Sequence, residues 1–314
     1  MYDNKKPAMG EVYFMSTYCF FHEDLDGYCS AAIFMRWVHH YHNTEVKCIS
    51  VNYNRDFPFD ILKPGDDVCL VDFSLQKPGE WQKLLDIVTE ENLIWIDHHK
   101  SAIEEAEKQG MSNLLGLRSV SQDAGCELVW KYCYGEGAPM PEVVSLIADY
   151  DVWRFSFGER TKHFNSGISA MIDTRPESDF WNDTLIYRFE YPAIVNEIVK
   201  IGEKLMAKSK ISNTASLQNW GFEVEFCGHN CLAVNRNHCG SLFFESIGEN
   251  YDILMPIVFD GKQWTVSLYC SGSDKSKAID MSALASTQGG GGHYGAAGFQ
   301  CQELPFAVIR KLSD

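Results

Sequence analysis

The chain has 314 residues, 45% hydrophobic and 22% charged, which excludes a disordered or low-complexity protein and predicts two compact domains. A formal net charge of −16 disfavours long duplex nucleic acid as a partner, because such a ligand needs many lysines and arginines to displace its counterions. A small phosphate ester stays open, since metal ions in a carboxylate-rich pocket supply positive charge locally. No run is apolar enough for a membrane span, residues 1–10 lack a secretory pattern, and the eleven scattered cysteines fit reduced thiols. The expectation is a cytoplasmic protein that does not associate with membranes.

From the N-terminus, residues 13–21, 45–51, 68–71 and 93–96 read as β-rich runs separated by amphipathic segments. That alternation predicts an α/β domain with a mainly parallel sheet flanked by helices. Asp24, Asp72 and Asp97 each follow one of the runs. In an open parallel sheet this position lies at the carboxyl edge, where ligands bind, so three carboxylates are expected to converge there. The helical pattern over 28–40 leads to His39, His40 and His42, read as structural cations near a helix C-terminus. After Phe157 the alternation stops, and the stretch from Tyr191 to Ser212 reads as a long charged helix with Ile194, Ile198, Ile201 and Leu205 along one face. Strands are predicted again at 223–227, 231–235, 253–259 and 264–269, then a helix around 281–286 and the glycines 289–292. This second set is a smaller α+β domain. The expected division is 1–190, a linker helix at 191–220, and 221–314.

The segment Phe21-His22-Glu23-Asp24-Leu25-Asp26-Gly27 follows a strand and precedes a helix. A single acidic residue there would be read as a helix cap. The pattern recurs, however, in Val71-Asp72-Phe73-Ser74, in Ile96-Asp97-His98-His99-Lys100 and in Ile147-Ala148-Asp149-Tyr150-Asp151-Val152-Trp153. Coincident caps are a poor account of that accumulation. Imidazole with several carboxylates is a donor set for manganese, or for magnesium, cobalt or iron, more than for the zinc that thiolates select.

These elements resemble the successive motifs of the DHH phosphoesterase superfamily, named for the triplet seen here as Asp97-His98-His99. The run Gly289-Gly290-Gly291-Gly292-His293-Tyr294-Gly295-Ala296-Ala297-Gly298-Phe299 resembles the signature of the DHHA1 substrate-binding domain. The resemblance implies two divalent cations, manganese first, with His22 and Asp24 on one, Asp26, His98 and a later aspartate on the other, and Asp72 bridging. The later ligand is placed at Asp149 by alignment on Trp153, with Asp151 as the rival. His99 would face the substrate phosphate, and Asp97 would orient a neighbouring histidine. Paired cations about 3.5–4 Å apart activate a water for in-line attack on phosphorus, so no serine or cysteine nucleophile is required. Ser74 and Ser101 are accordingly read as turn and cap residues.

In the second domain the glycine run is expected to form an ordered loop entering a helix, with Gly291, Gly292 and His293 contacting substrate across an interdomain cleft. The basic residue that many relatives carry at a strand end is replaced in Ser267-Leu268-Tyr269-Cys270; Tyr269 is a candidate for base stacking. Arg118 and Arg236, and after them Lys275, are candidates for the missing charge. Trp153 and the 155–157 stretch are expected to pack between domains. Cys227, His229, Cys231, His238 and Cys239 form a cluster that is read as structural and not as a zinc site.

Hydrolysis of short linear di- or oligoribonucleotides to nucleoside 5′-monophosphates is the function these features favour. A cyclic-dinucleotide phosphodiesterase, a phosphatase or exopolyphosphatase on small phosphate esters, and a non-catalytic nucleotide sensor are the alternatives. Oligomeric state is left open, a homodimer included.

Overall fold

The computed structural model describes residues 16–186, 191–237 and 239–313. The sheet of the first unit is made of β1 (Thr17–His22), β2 (Val46–Val51), β3 (Asp67–Val71) and β4 (Leu93–Ile96), all parallel in the order β2-β1-β3-β4. Residues 13–15 of the first predicted strand lie outside the described residues. The strands β1, β3 and β4 are apolar almost without interruption because helices cover both faces, the pattern expected of a parallel sheet. Successive side chains separate into two cores. Cys19, Phe21, Cys69, Val71 and Ile96 face one of them, while Tyr18, Phe20, Leu70, Leu93 and Trp95 face the other. Trp95 is fully buried with its ring 4.8 Å from that of Trp81, so Trp95→Ala is expected to cost about 3–5 kcal/mol. Residues 115–119 extend the ladder irregularly, with Trp95 N donating to Leu115 O at 2.8 Å and Asp97 N to Leu117 O at 3.1 Å.

The helices of this unit are α1 (Leu25–His42), α2 (Glu80–Leu85), α3 (Lys100–Lys108), α4 (Gly125–Tyr134), α5 (Glu142–Asp151), α6 (Glu159–Met171) and the single turn α7 (Asp179–Trp181). Asp24 caps α1 by accepting from Gly27 N at 2.9 Å, and Asn43 ends it in the left-handed region. His39, His40 and His42 occupy its last turn. Helix α8 (Tyr191–Trp220) runs past the periodic stretch read to Ser212 and spans the range given to the linker helix, and the chain divides within it, one compact unit ending at Glu203 and the other beginning at Lys204. Val195 and Ile198 belong to the first core and Leu217 to the second unit.

The second unit carries β5 (Phe222–Phe226), β6 (His229–Asn235), β7 (Ile253–Phe259), β8 (Trp264–Cys270), β9 (Gly291–His293), β10 (Ala296–Cys301) and β11 (Val308–Lys311), in the order β11-β5-β6-β7-β8-β10-β9. Only β6 and β7 pair in parallel among these neighbours. Helices α9 (Asp274–Lys277) and α10 (Met281–Ser286) accompany the sheet, α10 burying Met281 and Ala285 against it. The glycine run departs from expectation, for it follows α10 and does not enter a helix. Its residues 291–293 form edge strand β9, paired with β10. All eleven cysteines are free thiols. Among the described residues no helix is long and apolar enough to cross a membrane.

Candidate metal centre

The carboxyl edge of the parallel sheet gathers the motif residues, because β1, β3 and β4 end one residue before Glu23, Asp72 and Asp97 respectively. Among the described residues, three groups of three donors have ligand atoms within 4.8 Å of one another: His22, Asp24 and Asp72; Asp26, His98 and Asp151; and Asp72, His98 and His99. Asp72 belongs to two of them. Its Oδ2 faces His22 Nδ1 at 4.0 Å and its Oδ1 faces His98 Nε2 at 3.1 Å. Asp24 Oδ2 lies 2.7 Å from His22 Nδ1, and His98 Nε2 is 3.6 Å from Asp26 and 3.5 Å from Asp151.

Asp72 is buried, and neither carboxylate oxygen accepts a hydrogen bond from a described residue. Its backbone sits at φ 52°, a left-handed conformation that costs a non-glycine residue about 1–3 kcal/mol and concentrates at functional sites. Burial, then the nearby charges of Asp26, Asp24, Asp151 and Asp97, hold its carboxyl well above the usual range. Asp151 is pushed up to about 8 by burial and by Asp26. At an effective dielectric of about 20, two like charges 4 Å apart repel by about 4 kcal/mol. So many carboxylates cannot remain ionised together without cations between them. An orphaned buried carboxylate in a histidine and aspartate donor set fits divalent metal ions, and these residues would hold them.

Burial opposes charge on His22 and His98, but the Asp24 carboxylate outweighs it at His22, and Asp151 and Asp26 outweigh it at His98, raising both. In the same way His22 brings Asp24 down to about 2 against the effect of burial. Asp97 is fully buried and accepts from His98 N at 2.8 Å, His99 N at 3.2 Å and His99 Nδ1 at 2.8 Å. It therefore fixes the ring of His99, which answers the question, left open by the sequence, of which histidine Asp97 orients.

The fourth element requires a correction. Asp151, not Asp149, joins the donors. Positions two apart on a helix point about 200° away from each other, so only one of the pair can face the cluster. The carboxylate of Asp149 is occupied elsewhere. It accepts from Ser156 N at 2.8 Å, from Phe157 N at 3.3 Å and from the Thr161 hydroxyl, tying down the loop that follows α5. In that loop Trp153 and Phe155, both at positive φ, pack edge to face at 5.1 Å.

Helix α4 also belongs to the site, although no sequence pattern announces it. Its first amides, Gly125 N and Cys126 N, donate to Asp26 at 2.7 and 2.8 Å, so a carboxylate about a hundred residues away occupies the helix N-terminus. The cap position is Ala124, which offers no side-chain acceptor; Glu127 reaches back to Ala124 N at 3.1 Å. Residue 125 must be glycine. A Cβ there would stand 2.7 Å from the Cβ of Asp72 and 2.9 Å from Oδ2 of Asp26. Arg154 donates to Glu127 at 2.8 Å, joining the start of α4 to the loop behind Asp151.

Several expected substrate contacts are committed to other work. The Arg118 guanidinium donates to the carbonyls of Trp95, Leu115, Ser112 and Leu114 and lies over the Trp95 ring, so the structure gives it a structural role. Arg236 covers Phe243, and Lys275 pairs with Asp252 at 2.6 Å. Tyr269 packs half-buried in the smaller core of the second unit. Gly291, Gly292 and His293 are exposed on β9. Cys227 lies exposed at the β5–β6 turn and Cys231 is buried with its thiol on His229 O; His238 lies outside the described residues.

A four-stranded parallel sheet with histidine and aspartate groups at its carboxyl edge makes this unit an α/β domain whose donors could hold metal ions. Residues 16–150, a little under half of the chain, match the DHH family, N-terminal domain, so this stretch resembles that family. The chain is 24% identical over 265 residues to protein R106 of Acanthamoeba polyphaga mimivirus, covering 82% of this chain and 57% of that one, so it spans little more than half the length of that relative. Among solved structures, the DHH domain of a protein described as belonging to a family of ribosomal proteins is similar at a TM-score of 0.56 and 12% identity, with 94% of this chain and 83% of that chain covered. The pGpG-specific phosphodiesterase PggH from Vibrio cholerae is similar at 0.50 and 12%, covering 91% and 93%. RecJ from Thermus thermophilus, in complex with Mn2+, is similar at 0.50 and 14%, covering 90% of this chain and 49% of RecJ. At such identities the likeness is one of fold.

Proposed function

We propose that this protein is a hydrolase of phosphodiester bonds in short nucleotides, acting with two divalent cations, manganese first. The observation that carries the reading is Asp72, whose two buried oxygens face two different donor groups at 3.1 and 4.0 Å and accept no hydrogen bond. When bound, a pair of such ions polarises phosphoryl oxygens and lowers the pKa of a water to near neutrality. His22, Asp24 and Asp72 would hold one ion, and Asp26, His98 and Asp151 the other. His99, with Nδ1 fixed on Asp97, would lie beside the phosphoryl group, where a ring N–H donates to the charge that develops there. No serine or cysteine is assigned a covalent role. The fold shared with a pGpG-specific phosphodiesterase and with a manganese-bound RecJ supports the class of substrate and metal. The formal charge of −16 supports a short substrate over a long strand.

The test is turnover by the pure protein with manganese on a linear diribonucleotide, a cyclic dinucleotide, a small phosphomonoester and polyphosphate. Release of nucleoside 5′-monophosphate from the linear dinucleotide is the expected result. Preference for the cyclic compound, or for the monoester or polyphosphate, would move the reading to the corresponding alternative. Saturable nucleotide binding with no turnover in any metal would make the protein a sensor.

A further inference from the structure

Beside the donor groups, on the same edge of the same unit, the loops after β2 and β3 enclose a cleft of about 550 Å³. Its position follows from the register. His22 pairs with Val51, so Asn52 and Tyr53 continue past the end of β2 as Glu23 and Asp24 continue past the end of β1. The Tyr53 ring lies 5.3 Å from that of His22 and 6.1 Å from that of His99, which puts the cleft one ring away from the reacting centre. One wall is aromatic. Tyr53 and Phe73 stack at 4.9 Å and 21°, too close to admit a ligand between them, so a planar guest would meet an outer face.

The polar lining separates a base from a phosphate. Arg55 is ion-paired with Glu23 and Lys77 with Asp56, and the two lining cations are matched by the lining carboxylates Asp56 and Glu80. No excess positive charge is left for a second phosphate. By contrast, the amides of Asn52 and Gln76 make no hydrogen bond to a described side chain or backbone group and offer both donors and acceptors to the space. Aromatic faces with amide donors and acceptors are the chemistry that recognises a neutral heterocycle.

We propose that the cleft between the loops after β2 and β3 is a nucleobase subsite, taking the base next to the phosphate held at the metal centre, with Asn52 and Gln76 reading its edge and Tyr53 and Phe73 forming its wall. This rests on the nucleotide reading above and names where that substrate is gripped within the first unit. It makes no use of the second unit.

Adenosine titrated into the isotopically labelled full chain, followed by the backbone amide resonances of residues 50–57 and 73–77, tests it without turnover. Shifts in those two loops are expected with adenosine and not with inorganic phosphate. Loops that stay still with adenosine, or that respond to phosphate, would overturn the assignment. In kinetics, Asn52→Ala and the exposed-site variant Gln76→Ala should each raise KM for a diribonucleotide at least fivefold. Each should also lower the ratio of its kcat/KM to that for bis(p-nitrophenyl) phosphate by a similar factor. An unchanged ratio in folded Gln76→Ala and Asn52→Ala proteins counts against the subsite. Adenosine binding at the loops in a protein inactive on every diester would instead retain the cleft and remove the proposed activity.

Discussion

Two buried aspartates, one in each unit, show how differently the same residue is used. Asp252 is closed in by Asn230 N at 3.0 Å and Lys275 Nζ at 2.6 Å, and these partners outweigh burial and bring its carboxyl below the usual range. Asp72 has burial and four carboxylates around it, no hydrogen-bond donor, and a carboxyl displaced upward. A structural carboxylate is satisfied within the fold. An orphaned one signals a partner that the chain itself does not supply, and the proposed partner here is a cation.

The contrast can be broken by substitution. The largest effect is expected at the donors. Asp72→Asn and Asp151→Asn should each lower kcat/KM by about 10²–10³-fold, the size seen when a preorganised electrostatic contact is removed. Asp149→Asn should act through stability, lowering the unfolding free energy by about 2–3 kcal/mol as its loop contacts weaken, measured by denaturant titration. If Asp149→Asn abolished turnover at full stability while Asp151→Asn did not, the assignment of Asp151 would be wrong. Next in size, Arg154→Ala should weaken manganese affinity by about 10–100-fold in calorimetric titration, because it frees the start of α4 from the loop behind Asp151.

Manganese at about a hundred times its Kd should stabilise the wild type by about 2.7 kcal/mol in thermal unfolding and leave Asp72→Asn almost unmoved. The smallest effect belongs to Asp252. Its folded pKa lies below the unfolded value of about 3.9, so its contribution is present above that pH and is lost as pH falls through the folded value. Lys275 is largely exposed, so Asp252→Asn should cost only about 1 kcal/mol at pH 7, and the gap from wild type should close as the pH is taken below about 4.

Most of the framework was legible because it rests on burial. The apolar runs of β1, β3 and β4, and the alternation in β5 to β8, carry their own period, and the donors His22, Asp24, Asp72 and His98, with Asp97 beside them, stand at or just beyond strand ends. What could not be read depends on geometry between distant segments. Whether Asp149 or Asp151 faces the cluster is set by the turn after α5, and the role of α4 was hidden because Ala124 is no cap and its acceptor is Asp26. Arg118 looked available because its four acceptors are backbone carbonyls, which leave no mark in a sequence. The glycine run pairs by its backbone as β9, where no side-chain pattern announces a strand.

The central claim is tested most directly by anomalous diffraction from crystals of the full chain grown with manganese. Two peaks on either side of the Asp72 carboxylate, one against His22 and Asp24 and the other against Asp26, His98 and Asp151, are the predicted result. A well-ordered site with no manganese at Asp72, or with Asp72 hydrogen-bonded to protein alone, would contradict it.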